Sequence, residues 1–449
     1  MGVAPRARGQ GGILVIDSGG GYVRAGFAGD PGPTVVEPNC VGVAKRSGRA
    51  EKEPAVGAQA LDLPACVLHR PTQRGLLLDP EQQRFIWDAI FRRRLGLTPH
   101  TCSVLLADAP LSPAFLRREA YGLLLESFGF KDAGILAGPA LALHSPGIQR
   151  QMDVQNPCCT LLSLGFSGCV AMPCVEAQPI SKAIRRLNVG GRVLTNLLLE
   201  RLRLQHYDLS ENWLVAEDML SQLGEVSPNF EADLFSDFER VKPRSYVLPD
   251  FQKSFRGTVE DEEERPDRNE SEKPAGSHSG PRGGGGAATT KRPRRGSVPS
   301  AGVERQRVRL RAERVAIPEA LFRPADHGLE HQAGLPELVK QAIFAVGSEE
   351  VWRMHFGTVV LCGALARLPG LKQRLVRELR QLLPARWPVR VVMEEEPELS
   401  VWRGAAALAR EPGIQERYGF ITREAWDAHK AKTSSGSSVG VGGGPSGGG

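Results

Sequence analysis

At 449 residues the chain can form two or three domains with substantial cores, and a hydrophobic content of 41% is that of a folded protein. Its formal net charge of +6 is mild for this length, so charge alone makes no case for nucleic-acid binding. No apolar run approaches the roughly 18–20 residues of a membrane span. The opening MGVAPRARGQ has no apolar core for a secretory signal, and Arg6 spoils a myristoylation motif.

Ile13 to Ile16 is a short aliphatic run that predicts a buried strand ending at Asp17. Ser18-Gly19-Gly20-Gly21 must then turn sharply, and Tyr22 to Phe27 returns as a hairpin partner. Glycines lacking Cβ let backbone N–H groups approach an anion, and a carboxylate at the strand end can hold a metal or water beside it. The same residues equally describe a glycine-rich hairpin without a ligand.

Residues 41–74 are polar and proline-broken, and predict loop with one short strand at Cys66 to Leu68. Asp79-Pro80-Glu81-Gln82 is a strong helix start, Phe85, Ile86, Ala89 and Ile90 mark one helical face, and Gly96 closes it. Val104 to Ala107 predicts a buried strand, a helix follows from Ser112-Pro113, and Gly134 to Ser145 is another buried element.

Thr160 to Gly168 repeats the opening device, an apolar strand running into a glycine turn, and Val170 to Val175 resumes as a strand. Two copies roughly one domain apart suit a two-lobed protein. Between Arg256 and Arg305 the composition falls to low complexity, with acids from Glu260 to Glu264 and then Lys291-Arg292-Pro293-Arg294-Arg295, which predicts disorder. Val308 to Val315 reads as a half-buried strand, and Val359 to Cys362 as a strand turning at Gly363. Leu371, Leu375, Val376, Leu379 and Leu382 mark a helix; Glu394-Glu395-Glu396 reads as a solvated turn. His327 and His331 lie in a solvated loop, and no metal site is expected. The eight cysteines show no paired CxxC spacing, so buried free thiols are expected rather than zinc ligands or disulfides.

DSGGGYVRAGFAGD, extending to AGDPGPTVVEPNCVG, resembles the first phosphate loop of the actin family, DNGSGxxKAGFAGD. The family's loop serine is Gly20 here and its phosphate-facing lysine is Arg24. DAPLSP, RVAIPEALFRPADHG, VLCGALARLPG, SVWRG and ITREAW resemble further actin segments, while NVGGRVLTN and YVLPDF are similar to the class-six actin-related proteins. The resemblance implies an α/β, actin-like two-lobed fold of the actin, heat-shock-ATPase and sugar-kinase superfamily, with ribonuclease H-like duplicated domains. Domain 1 would span 12–147, completed by 400–432, and domain 2 would span 148–399. The 257–305 insertion, residues 1–11 and the Gly/Ser tail 433–449 are expected to be flexible.

Hydrolysis needs a metal-positioning carboxylate from each phosphate loop and a polar group to orient water. Asp17 supplies the first carboxylate, but the family's second loop, DSGDG, aligns with Ser163-Leu164-Gly165-Phe166-Ser167, and both of its carboxylates are missing. The water-orienting glutamine aligns with Gly138, the water-positioning histidine falls near Val170, and the adenosine-contacting Lys-Glu pair aligns near Leu220-Ser221. The expectation is a protein with no catalytic residues, no useful ATPase activity and no required cofactor. Asp17, Gly19, Gly21, Arg24, Gly165, Gly190, Gly191 and Gly363 are candidates for a vestigial nucleotide site. Weakly bound ATP and glycines that merely make the turns both stay open.

Class-six resemblance implies a nuclear scaffold subunit of a Swr/SRCAP-type complex that places a Z-type histone variant in nucleosomes. Its partners would be a large Swi/Snf-family ATPase, a HIT zinc-finger subunit and, through the complex, histones and the nucleosome. Lys291, Arg292, Arg294 and Arg295 would suit nuclear import or be a chance basic patch. The rival is a cytoplasmic actin-like protein of a cytoskeletal or dynactin-type assembly. Residues 41–74 lack the apolar tip of the family's filament loop, so filament formation is not expected, and neither is a membrane partner.

Overall fold

The computed structural model describes residues 12–44, 54–61, 66–205, 207–250, 256–260 and 306–436. The first aliphatic run forms β1 (Ile13–Ser18), with Leu14, Val15 and Ile16 fully buried. It folds back as β2 (Tyr22–Phe27), with Asp17 opposite Arg24, and β3 (Val35–Pro38) lies on the far side of β2. On the other flank of β1 run two parallel strands, β4 (Ser103–Asp108) and β5 (Asp132–Ala137), and Ile421–Thr422 edges β5. Parallel strands need crossovers, and helix α1 (Pro80–Asp88) lies on the path to β4. The Asp79 side chain caps it by accepting from the Gln82 N–H at 2.9 Å, as expected; six further residues continue the helix to Arg94 with wider turns.

The second sheet repeats this plan. Strand β6 (Cys158–Leu164) pairs antiparallel with β7 (Cys169–Val175), and Gln178–Pro179 and Arg185–Leu187 edge β7. On the other flank of β6 run the parallel strands β8 (Val359–Cys362) and β9 (Val391–Met393). Both sheets therefore place a hairpin against two later parallel strands. All four residues of β8 are buried, as in a strand covered on both faces. Helices α2 (Gly191–Gln205), α3 (Trp213–Leu223) and α4 (Leu371–Leu382) belong to this second lobe, and α2 buries Leu194, Leu198 and Leu202 at four-residue spacing. The result is the expected two-lobed α/β architecture with a duplicated sheet.

The chain crosses between lobes after β5 and again after β9. At the return crossing, Ser145 Oγ and Arg403 Nη1 both donate to the carboxylate of Glu394, the latter at 3.3 Å, and Gln151 Nε2 donates to Met393 O at 3.1 Å. Glu394 is 6% exposed, so the three-acid run is not simply a solvated turn; its first member is drawn inward by partners remote in sequence. Helix α5 (Ser400–Leu408) then seals the first sheet, with Trp402 Nε1 donating to Val15 O at 3.2 Å.

Two further expectations are corrected. Residues 41–74 are not mainly loop among those described: Val41–Ala44, Ala55–Val56 and Cys66–His69 form a three-stranded antiparallel sheet. Thr72–Gln73 and Leu76–Leu77 form a hairpin whose two turn residues, Arg74 and Gly75, both have positive φ. The strand expected over 308–315 ends at Leu310, and Glu313–Glu319 is a helix. The seven cysteines whose side chains are described are buried, as expected.

A Cβ on Gly404 would lie 1.8 Å from the Leu141 carbonyl oxygen, whereas one on Gly29 would meet nothing within 4 Å. Gly404→Ala is expected to lower unfolding stability by about 2 kcal/mol or more, and Gly29→Ala by less than about 0.5 kcal/mol, in chemical denaturation.

Candidate functional site: two facing glycine turns

The duplicated hairpins bring their turns face to face between the lobes. In the first, the Gly19 N–H donates to Tyr22 O at 3.0 Å, and Asn39 Nδ2 ties the Gly19 carbonyl at 2.8 Å. In the second, Gly165 N–H donates to Gly168 O at 3.1 Å. The start of α2 backs this turn: Gly191 N–H donates to Gly165 O at 3.2 Å and Arg192 N–H to Phe166 O at 2.9 Å.

Several of these glycines are required by backbone approach alone. A Cβ on Gly190 would lie 2.3 Å from Gly168 N, and one on Gly363, where φ is +95°, would lie 2.4 Å from Leu164 O. The turns also crowd each other. A Cβ on Gly20 would sit 2.1 Å from Ser167 Oγ, and one on Gly21 would sit 3.2 Å from the Phe166 side chain.

The Arg70 guanidinium fills the junction. Its Nη1 donates to the carbonyls of Gly20 and Gly21, at 3.1 and 2.7 Å, and its Nη2 reaches Glu217 Oε2 at 3.2 Å. The rings of Phe166 and Trp213 each lie with their centroids 4.4 Å from it. The Arg70 side chain is 8% exposed. Burial pushes the Glu217 carboxyl upward while the Arg70 charge pulls it back, and burial lowers the Arg70 guanidinium against the opposing pull of Glu217.

Asp17, the surviving carboxylate, is already paired. Arg24 Nη1 donates to its Oδ2 at 3.2 Å, and the two side chains are 15% and 12% exposed. Burial raises the Asp17 carboxyl and Arg24 opposes that rise. At the matching place on β6 stands Ser163. Among the described residues no three His, Cys, Asp or Glu side chains are grouped to hold a metal.

The expected residues thus divide. Asp17, Gly19, Gly21, Arg24 and Gly165 lie on or beside the facing turns, Gly190 and Gly191 back the second turn, and Gly363 packs against Leu164. Lys291, Arg292, Arg294 and Arg295 fall outside the described residues. Val170 and Leu220 are buried in the hydrophobic core, and Ser221 donates to Asp218 O on the exposed side of α3. The residues that sequence reasoning missed are Arg70, Trp213 and Glu217, together with the role of Phe166. A phenylalanine inside a glycine turn was one readable signal. The four-residue spacing of Trp213 and Glu217, which puts both on one helix face, was another.

A family model described as actin matches residues 10–434. The chain belongs to the actin family. Within it, the chain is 31% identical over 412 residues to a rice protein named actin-related protein 6, covering 91% of this chain and 94% of the relative. An Arabidopsis thaliana relative of the same name is 31% identical over 411 residues, with 90% and 94% covered. One from Drosophila melanogaster is 25% identical over 423 residues, with 90% and 94% covered.

The fold family implies a nucleotide with a divalent cation between these turns, and the residues present do not fit one. A phosphate cradle presents backbone N–H groups to the anion, whereas the first turn aims the Gly20 and Gly21 carbonyls into the gap at a guanidinium. Asp17 is paired with Arg24, and Phe166 packs close against Gly21.

If Asp17 is one half of a structural ion pair, Asp17→Asn should cost about 2–4 kcal/mol by stranding the Arg24 charge. The double variant Asp17→Asn/Arg24→Met should recover most of that loss in a double-mutant cycle of urea denaturation.

Proposed function

We propose that this chain is a non-catalytic actin-related scaffold subunit of a nuclear chromatin-remodelling complex that deposits a Z-type histone variant into nucleosomes. One observation carries the non-catalytic part: the gap between the glycine turns is filled by the chain's own Arg70 and Phe166, with Ser163 where the second carboxylate would stand. Likeness over nine-tenths of the chain to relatives named actin-related protein 6 supports the class-six assignment. On this reading the energy for remodelling comes from a large Swi/Snf-family ATPase. A HIT zinc-finger subunit is the other direct partner, and histones are met through the complex. Lys291, Arg292, Arg294 and Arg295 serve nuclear import. No cofactor is required.

The tagged protein recovered from nuclear extract should carry a Swi/Snf-family ATPase, a HIT zinc-finger protein and the Z-type histone variant by mass spectrometry. The purified chain should release phosphate from ATP no faster than buffer. Recovery of dynactin or filament proteins from cytoplasm, without remodeller subunits, would overturn the assignment in favour of a cytoskeletal one.

A further inference from the structure

We propose that Arg70 is an internal latch, closing the two lobes on one another without any ligand by occupying the place between the turns that a nucleotide would need. The proposal rests on the reading of this site as one that works without nucleotide. It does not depend on the identity of any partner.

Arg70 follows the strand Cys66–His69, which belongs to the small sheet beside the first lobe, and it grips that lobe through the Gly20 and Gly21 carbonyls. Its ion pair and its two ring contacts lie in the second lobe: Phe166 in the turn between β6 and β7, and Trp213 and Glu217 on α3. One side chain therefore ties the first turn to the second turn and to a helix that borders it. A guanidinium suits this position because it is planar, donates in several directions at once and stacks on aromatic rings. An ammonium supplies one compact charge and lies poorly on two rings, so lysine should not replace it.

The chemistry of the junction favours an internal occupant over an external anion. The carbonyls of Gly20 and Gly21 are acceptors, and Glu217, which also feels Arg256, adds a negative charge beside them. These three groups suit a cation at the position Arg70 takes, although Arg192 adds a like charge nearby. Because Arg70 lies two residues before the Thr72–Leu77 hairpin, the latch also ties the position of that hairpin to lobe closure.

The test compares the full-length protein with Arg70→Met and Arg70→Lys by hydrogen exchange, with and without millimolar MgATP. The latch predicts that Arg70→Met raises exchange about tenfold or more in the turns around Gly19–Gly21 and Gly165–Gly168 and at the start of α3, while β4 and α4 are unchanged. Arg70→Lys should behave like Arg70→Met, and MgATP should leave wild-type exchange as it was. Trp213→Leu keeps the guanidinium and removes one ring, so a smaller rise of about threefold at the same peptides is expected even if Arg70→Met folds poorly. Unchanged exchange in folded Arg70→Met and Trp213→Leu, with no effect of MgATP, would sink the latch alone. Protection of the wild-type turns by MgATP would instead remove the nucleotide-free reading beneath it.

Discussion

A guanidinium withdrawn from water must be met by acceptors and counter-charge on nearly every side, and the centre of this molecule is arranged around that demand. Two backbone carbonyls, one carboxylate and two aromatic rings surround Arg70. The desolvation cost of such an ion is several kcal/mol, so the contacts are needed to offset it as well as to add stability. They also constrain geometry. The first turn must present its carbonyls, the second must hold a phenylalanine instead of a carboxylate, and α3 must show Trp213 and Glu217 on one face.

The duplicated sheets make those constraints affordable. Each lobe delivers a hairpin turn at the edge of a strand that is itself locked by parallel neighbours, so the turns are presented from rigid elements. At Gly190 and Gly363 the missing Cβ lets backbone approach backbone, and at Gly20 and Gly21 it leaves room for the Ser167 and Phe166 side chains of the opposite turn. Between the facing turns the chain places its own Arg70 and Phe166, so the two lobes meet there through protein contacts.

Much of this was legible in the sequence, for a physical reason. The strands β1, β4, β6 and β8 are continuous apolar runs ended by turns, and the Asp79 cap is a local device whose partners lie within three residues. Ser163 near the end of β6, in the place where β1 carries Asp17, is likewise read directly from the two similar runs. Arg70 was not legible: its acceptors lie 49 and 50 residues before it and its counter-ion 147 residues after it. Glu394 was hidden in the same way, because three adjacent acids look solvated until Ser145 and Arg403 are brought to the first of them. The strands within 41–74 were obscured because they are two to four residues long and partly polar, below the length at which periodicity is a signal.

The pairing of β6 with β8 has a consequence for how the chain is made. Thr160 aligns with Val359, so the second sheet lacks its parallel neighbour until almost 200 residues more have left the ribosome. At about 5–20 residues per second that interval is roughly 10–40 s. Throughout it, a strand of buried aliphatic residues has an unpaired edge, and Trp402, which covers Val15 of the first sheet, arrives later still. A nascent chain of this design spends most of its synthesis with both lobes incomplete, and its yield in a cell depends on how well that exposed edge is shielded during translation.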